Sequence, residues 1–177
     1  MSFDYIRLHS GRKFSFVDPQ PEDIHIDDIC HALSLNCRYI GHCSDFYSVA
    51  EHSVRVSEIL PDEFKLAGLT HDFAEAYVTD IPSPLKQYLP DFRAIEERVE
   101  KVIAAKYNLK WPMPKEVKNA DMILLTTELR DLLGDKADDW KDLQKQGFEP
   151  LKNRIFPWES YSAKILLRSF SRELMGI

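Results

Sequence analysis

The sequence predicts an all-α fold with a short N-terminal β-hairpin, and three observations carry that prediction. After Asp27, apolar residues recur at helical spacing through most of the chain. Pro, Asp and Glu stand where those apolar runs begin, as helix N-termini favour. Only the opening stretch, D-Y-I-R-L-H-S-G-R-K-F-S-F-V, alternates with a period of two around a Ser-Gly turn, which marks a hairpin within residues 1–18. The helical part runs over 28–177, with no repeat, low-complexity segment or long linker dividing it, so one domain is expected.

Taken in order, I-D-D-I-C-H-A-L-S-L carries an acidic start suited to a helix N-terminus. Ser44 to Leu60 reads as the second helix, with Val49, Val56, Ile59 and Leu60 on one side. Pro61-Asp62-Glu63 opens a third. It is expected to continue through Leu66, Leu69 and Ala74 to the breaker Asp80-Ile81-Pro82-Ser83-Pro84. Phe92 to Tyr107 and Lys115 to Leu133 are amphipathic helices separated by W-P-M-P. An irregular, polar, Trp-containing stretch precedes a closing helix over Ser160 to Leu174. The runs E-E-R-V-E-K and K-A-D-D-W-K-D read as solvated helix faces.

Composition narrows the function classes. Across 177 residues, 44% are hydrophobic and 29% charged, ordinary for a globular protein with a real core. The net charge of -6 argues against coating a nucleic-acid polymer, and no basic strip with interleaved aromatics is present. Three cysteines without C-x-x-C spacing fit reduced thiols better than a disulfide framework or a zinc ribbon. Neither a signal core nor a membrane-length apolar run is visible, so a cytoplasmic protein without a membrane partner is expected.

The stretch L-T-H-D-F-A-E-A-Y-V-T-D places ionisable residues on what otherwise reads as a buried helix, which is costly unless something binds them. His71 and Asp72 could share one metal ion at their common edge, because imidazole and carboxylate differ in reach. Two ligands bind weakly, so further ones must come from other helices. His52 lies three after Val49 and four before Val56, on the face expected to turn inward. Asp121 interrupts V-K-N-A-D-M-I-L-L, where an unpaired carboxylate would be expensive. A lone histidine on an apolar face is more often a hydrogen-bonded core residue, and a late helical Asp is more often a cap or an ion-pair member. The four together favour a single divalent transition metal (zinc, cobalt, manganese or iron) with positions left for water and substrate.

E-H-S at 51–53, H-D-F-A-E-A at 71–76 and N-A-D at 119–121 resemble the HD-domain metal-dependent phosphohydrolases. Within them, the pattern is most similar to the small 5′-deoxynucleotidases and their prophage- and phage-borne relatives. The resemblance spans roughly Asn36 to Arg130, including C-R-Y-I-G-H and D-I-P-S-P-L-K. It implies a single HD-domain helical bundle, the ligand set His52, His71, Asp72 and Asp121, and a homo-oligomer. Only 19 positions separate the two histidines, fewer than in the nucleotidases proper, which implies a missing excursion between helices and an altered substrate pocket.

Glu75 follows His71 by four and Asp72 by three, so all three are expected on one side of a helix. A carboxylate there can take a proton from an attacking water, the general-base role that the resemblance also gives it. A plain salt bridge is the alternative. Asp80 resembles the family acid near the sugar hydroxyl and the leaving oxygen, and could equally cap the helix. For phosphate, Arg38, Lys86 and Lys118 are the candidate cations, with Arg38 favoured by its planar fork and by the resemblance. Tyr39 stands where the deoxynucleotidases place an aromatic against the sugar, which implies deoxyribose preference, although it could equally be a core residue. His42, Phe46 and Tyr47 could line a base pocket, although aromatics at helical spacing are usually core.

The expected function is removal of phosphate from deoxynucleoside 5′-monophosphates. A deoxynucleoside triphosphate triphosphohydrolase is the second reading, favoured if Lys86 and Lys118 both face the metal. A non-catalytic nucleotide-binding module is the third, opposed by the presence of Glu75.

Overall fold

The computed structural model describes residues 4–134 and 138–176. The hairpin pairs β1 (Ile6–Arg7) with antiparallel β2 (Lys13–Phe14), Ile6 opposite Phe14. Its turn closes through Leu8 N–H to Arg12 carbonyl at 2.9 Å, with Gly11 at φ 84. The alternation delivers Phe14 to the interior, fully buried and stacked on Tyr77 at 4.2 Å between ring centroids. The backbone N–H and hydroxyl of Ser10 both donate to buried Asp28 at 2.7 Å, fastening the turn to the first helix.

The rest is predominantly helical. A 3-10 turn over Pro21–Asp23 leads into α1 (Ile26–Leu35), whose bounds match the acidic-start segment read from the sequence. Then come α2 (Val49–Ile59), α3 (Asp62–Thr70), α4 (Glu75–Val78) and α5 (Ser83–Lys86). They are followed by α6 (Pro90–Tyr107), α7 (Lys115–Leu132), α8 (Asp139–Lys145) and α9 (Ser160–Met175). The short α8 carries most of the charged run K-A-D-D-W-K-D; Lys136 and Ala137 of that run lie outside the described residues.

Two expectations about helix bounds are corrected. The second helix starts at Val49, not Ser44. Ser48 caps it by accepting from Glu51 N–H at 3.1 Å, and the residues before it form a loop joined to Cys37 by an isolated bridge. The third helix does not run unbroken to Asp80. After Thr70 the backbone tightens, with Phe73 bonding back to Thr70, Glu75 to Asp72 and Ala76 to Phe73, three residues rather than four. Side chains compete for the helix's last carbonyls: Thr70 Oγ1 donates to Leu66 at 2.9 Å, and the His71 ring to Gly68 at 2.7 Å.

Helix α2 is the central element. It packs against α1, α3, α7 and α9, and from Val49 to Val54 every residue is buried. Its Val49, Ala50 and Val54 join one apolar cluster with Leu33, Leu69, Phe73, Val99, Ile103 and Leu167. Val56 and Leu60 join a second with Tyr47, Val117, Leu124, Leu132 and Ile155. A helix apolar on both flanks must lie between two layers, and His52 is fully buried on it. Gly68 permits the close approach of α3: a Cβ there would collide with Leu60 Cδ1 and stand 3.4 Å from Ser57 Cα. Among the described residues, no helix is long and apolar enough to cross a membrane.

Candidate metal centre and substrate pocket

His52 projects from the centre of α2 with no solvent exposure. Its Nδ1 is bonded at 2.6 Å to Glu128 Oε1, which leaves Nε2 to face outward. His71, at the end of α3, spends its own Nδ1 on the Gly68 carbonyl at 2.7 Å. The two Nε2 atoms therefore meet at 3.3 Å. Asp72 Oδ2 stands 3.1 Å from His71 Nε2 and 3.5 Å from His52 Nε2. Asp121 Oδ1, one helix away on α7, lies 3.4 Å from His52 Nε2.

Ligands held at about 2.0–2.2 Å around a tetrahedral ion stand about 3.3–3.6 Å from one another. Three of the separations here, 3.3 to 3.5 Å, fit that spacing, and His71–Asp72 at 3.1 Å is slightly shorter. His52, His71 and Asp72 offer one atom each, all within 4.8 Å of one another, a group that could hold a divalent transition metal. Asp121 joins this trio through His52.

The electrostatics suit a cation. Burial and the Arg38 guanidinium push His52 down, but the Glu128 and Asp121 carboxylates outweigh them and raise it to about 9. Burial would lift Asp72 and Asp121, yet the neighbouring imidazoles hold both below the ordinary carboxylate range. An ion bound at Nε2 would take the place of any proton there.

Glu75 opens α4 and is buried, with Oε2 making no hydrogen bond. Burial first, then the Asp72 and Asp80 carboxylates, raises its carboxyl well above the ordinary range. The expected helix joining it to His71 is replaced by the tight turn, so Glu75 reaches the site from the next helix. Asp80 lies just past Thr79, a β-branched residue at φ 71 and ψ 161, backbone that almost only glycine adopts. Tyr39 and Ile40 are also left-handed, at φ 55 and 53. Strained backbone thus adjoins both Arg38 and Asp80, and such strain clusters at functional sites.

A cavity of about 640 Å³ opens on this cluster, within the size range of small-molecule sites. His71, Asp72, Glu75, Asp80 and Asp121 lie along its acidic side, with Arg38 and Tyr39 beside them. Pro82, Pro84, Met113 and Pro114 supply an apolar wall. Arg38 Nη1 stands 3.7 Å from Asp72 and 4.0 Å from Asp80. The sequence-expected cations Lys86 and Lys118 both line the cavity, but each already has a carboxylate partner. Lys86 binds Glu96 at 2.6 Å and lies 3.7 Å from Glu75. Lys118, 69% exposed, donates to Asp121 Oδ2 at 2.8 Å. Lys115, not singled out by the sequence as a candidate cation, lines the cavity with them.

His42, Phe46 and Tyr47 do not line the cavity, so the base pocket expected from them is corrected. His42 and Phe46 are surface residues, and Tyr47 is fully buried in the second apolar cluster.

Glu128 was missed from the sequence. It is buried without exposure, and besides His52 it accepts from the Tyr39 hydroxyl at 2.6 Å and from Arg38 Nη2 at 3.2 Å. The available signal was its position, seven residues after Asp121 on the same helix, which puts both acids on one face two turns apart.

The chain is thus a predominantly helical protein with a partly buried histidine–carboxylate cluster bordering a cavity. It is 46% identical over 140 residues to the uncharacterized protein YfdR of Escherichia coli K12, an alignment covering 79% of each chain, and it belongs to that protein's family. An uncharacterized protein of Rhodobacter capsulatus is 32% identical over 124 residues, covering 64% of this chain and 63% of that one. No family model matches the chain.

Proposed function

We propose that this protein is an HD-type, metal-dependent phosphohydrolase of small nucleotides, removing phosphate from deoxynucleoside 5′-monophosphates. The observation that carries the reading is the convergence of two imidazole Nε2 atoms and two carboxylates at 3.1 to 3.5 Å beside a buried, unpartnered carboxyl oxygen.

A divalent ion held by His52, His71, Asp72 and Asp121 would polarise the phosphoryl oxygens and acidify the attacking water. Glu75 takes the proton from that water at Oε2, the atom with no other partner. Burial and two neighbouring carboxylates raise its carboxyl, which favours keeping the proton once it is taken. Arg38 turns its Nη1 edge to the phosphate oxygens, and phosphate would replace its loose contacts with Asp72 and Asp80. Asp80, which lines the cavity 4.0 Å from Arg38 Nη1, is placed to give a proton to the leaving 5′-oxygen. The Tyr39 ring, fixed by its strained backbone and its bond to Glu128, packs on the sugar and disfavours a 2′-hydroxyl.

One observation favours a second reading. Lys86, Lys115 and Lys118 all line the cavity and could take the β- and γ-phosphates of a triphosphate. Two of them would first have to leave carboxylate partners, which weighs for the monophosphate. The test is product identity with manganese present and dAMP, AMP and dATP assayed separately. Orthophosphate from dAMP, with little from AMP, is expected. Stoichiometric inorganic triphosphate from dATP with dAMP untouched would overturn the monophosphatase in favour of the triphosphohydrolase.

A further inference from the structure

The two oxygens of Glu128 serve different neighbours. Oε1 holds His52 Nδ1 at 2.6 Å. Oε2 accepts from the Tyr39 hydroxyl at 2.6 Å, from Arg38 Nε at 3.3 Å and from Arg38 Nη2 at 3.2 Å. The side chain is wholly removed from solvent, so these partners, rather than water, satisfy its charge.

Each bond restricts a group that faces the cavity. With Nδ1 engaged, His52 can offer only Nε2 to an ion, the atom on which His71, Asp72 and Asp121 converge. With Nε and Nη2 engaged, Arg38 is left with its Nη1 edge toward Asp72 and Asp80. The Tyr39 hydroxyl bond anchors a residue whose backbone is left-handed, next to a second such residue, Ile40. One carboxylate therefore fixes a candidate metal ligand and both residues of the adjoining arginine–tyrosine pair.

We propose that Glu128 is a positioning residue that joins the metal site to the phosphate and sugar subsites, orienting His52 through one oxygen and Arg38 and Tyr39 through the other. The half concerning Arg38 and Tyr39 rests on the nucleotidase reading; the half concerning His52 does not. Truncating such a partner of a metal-bound histidine typically weakens metal binding 10–100-fold. Glutamine at 128 keeps the shape, but one end of its amide can only donate. That end meets donors at Arg38 and Tyr39, or, if flipped, presses an N–H on His52 Nδ1 and favours the tautomer that cannot ligate through Nε2.

The experiment compares parent, Glu128→Gln and Glu128→Ala. Manganese affinity is read without nucleotide from the free-ion spin-resonance signal, and dAMP affinity on the manganese-saturated proteins. Far-UV circular dichroism monitors folding. Glu128→Ala should bind manganese 10–100-fold more weakly. Glu128→Gln should lose about tenfold in manganese affinity or in dAMP affinity, according to which way its amide lies. Should alanine prevent folding, the isosteric glutamine variant decides alone. A folded Glu128→Gln protein that matches the parent in both affinities would overturn the assignment. A parent that binds manganese but leaves dAMP intact would sink the nucleotidase reading while the manganese comparison still tests Glu128.

Discussion

His52 and His71 show how a side chain is aimed by what it does away from the site. Each gives Nδ1 to a protein oxygen, Glu128 in one case and the Gly68 carbonyl in the other, and each thereby presents Nε2. Asp72 and Asp121 contribute oxygens held ionised against their burial by those imidazoles. Glu75 differs: its Oε2 is buried without a hydrogen-bond partner, and burial and two neighbouring carboxylates raise its carboxyl. Two substitutions should separate these roles. Asp72→Ala is expected to lose bound metal and activity together, read by elemental analysis after dialysis. Glu75→Gln should retain metal while turnover of dAMP falls by about a hundredfold or more, the scale of a general base. Full metal occupancy in Asp72→Ala would remove it from the ligand set.

At the scale of elements, α7 carries the site on one face and holds the 151–155 segment with its last turns. Leu151 N–H donates to Thr127 Oγ1 at 2.9 Å, Arg130 Nη1 to the Leu151 carbonyl at 2.7 Å, and Ile155 N–H to Asp131 Oδ2 at 2.9 Å. Burial works against ionising Asp131, but Arg130 and the Ile155 N–H outweigh it and hold the carboxyl below its ordinary range. The sign of the pH effect follows. A carboxyl lowered on folding adds stability at pH values above its unfolded pKa, and that stability is lost as pH falls through the folded value. Asp131→Asn should therefore lower stability by about 1–3 kcal/mol near neutrality, and the deficit should shrink in acid. Urea unfolding of parent and variant at pH 7 and pH 3 measures both. An equal deficit at the two pH values would assign the effect to packing rather than charge.

For the whole molecule, the four proposed ligand positions come from parts of the chain that meet only in the folded state, since α2, the end of α3 and α7 are brought together by packing around α2. An ion that binds this arrangement and not the unfolded chain must stabilise it, by about 2.7 kcal/mol at a hundred times its dissociation constant. Stripping metal with a chelator should lower the melting temperature, and added manganese should restore it in the parent but not in Asp72→Ala. A melting temperature indifferent to both treatments would count against a metal bound at this site.

The sequence by itself determined the helical class, the hairpin, the bounds of α1 and the identity of the acids and histidines that meet at the cavity. These were legible because amphipathic periodicity is local and because a carboxylate or imidazole in an apolar run signals an unmet need for a partner. The tertiary structure decided which partner each group finds. Glu128 lies 76 residues from His52 and 90 from Arg38, and no local pattern encodes a bond over that distance. The break after Thr70 arose from side chains taking helical carbonyls, and Tyr47 went to the core rather than the cavity. Lys86 and Lys118 were legible as cations near the site. Their engagement with Glu96 and Asp121 was not, because ion pairing depends on which charges the folded chain brings within a few ångströms.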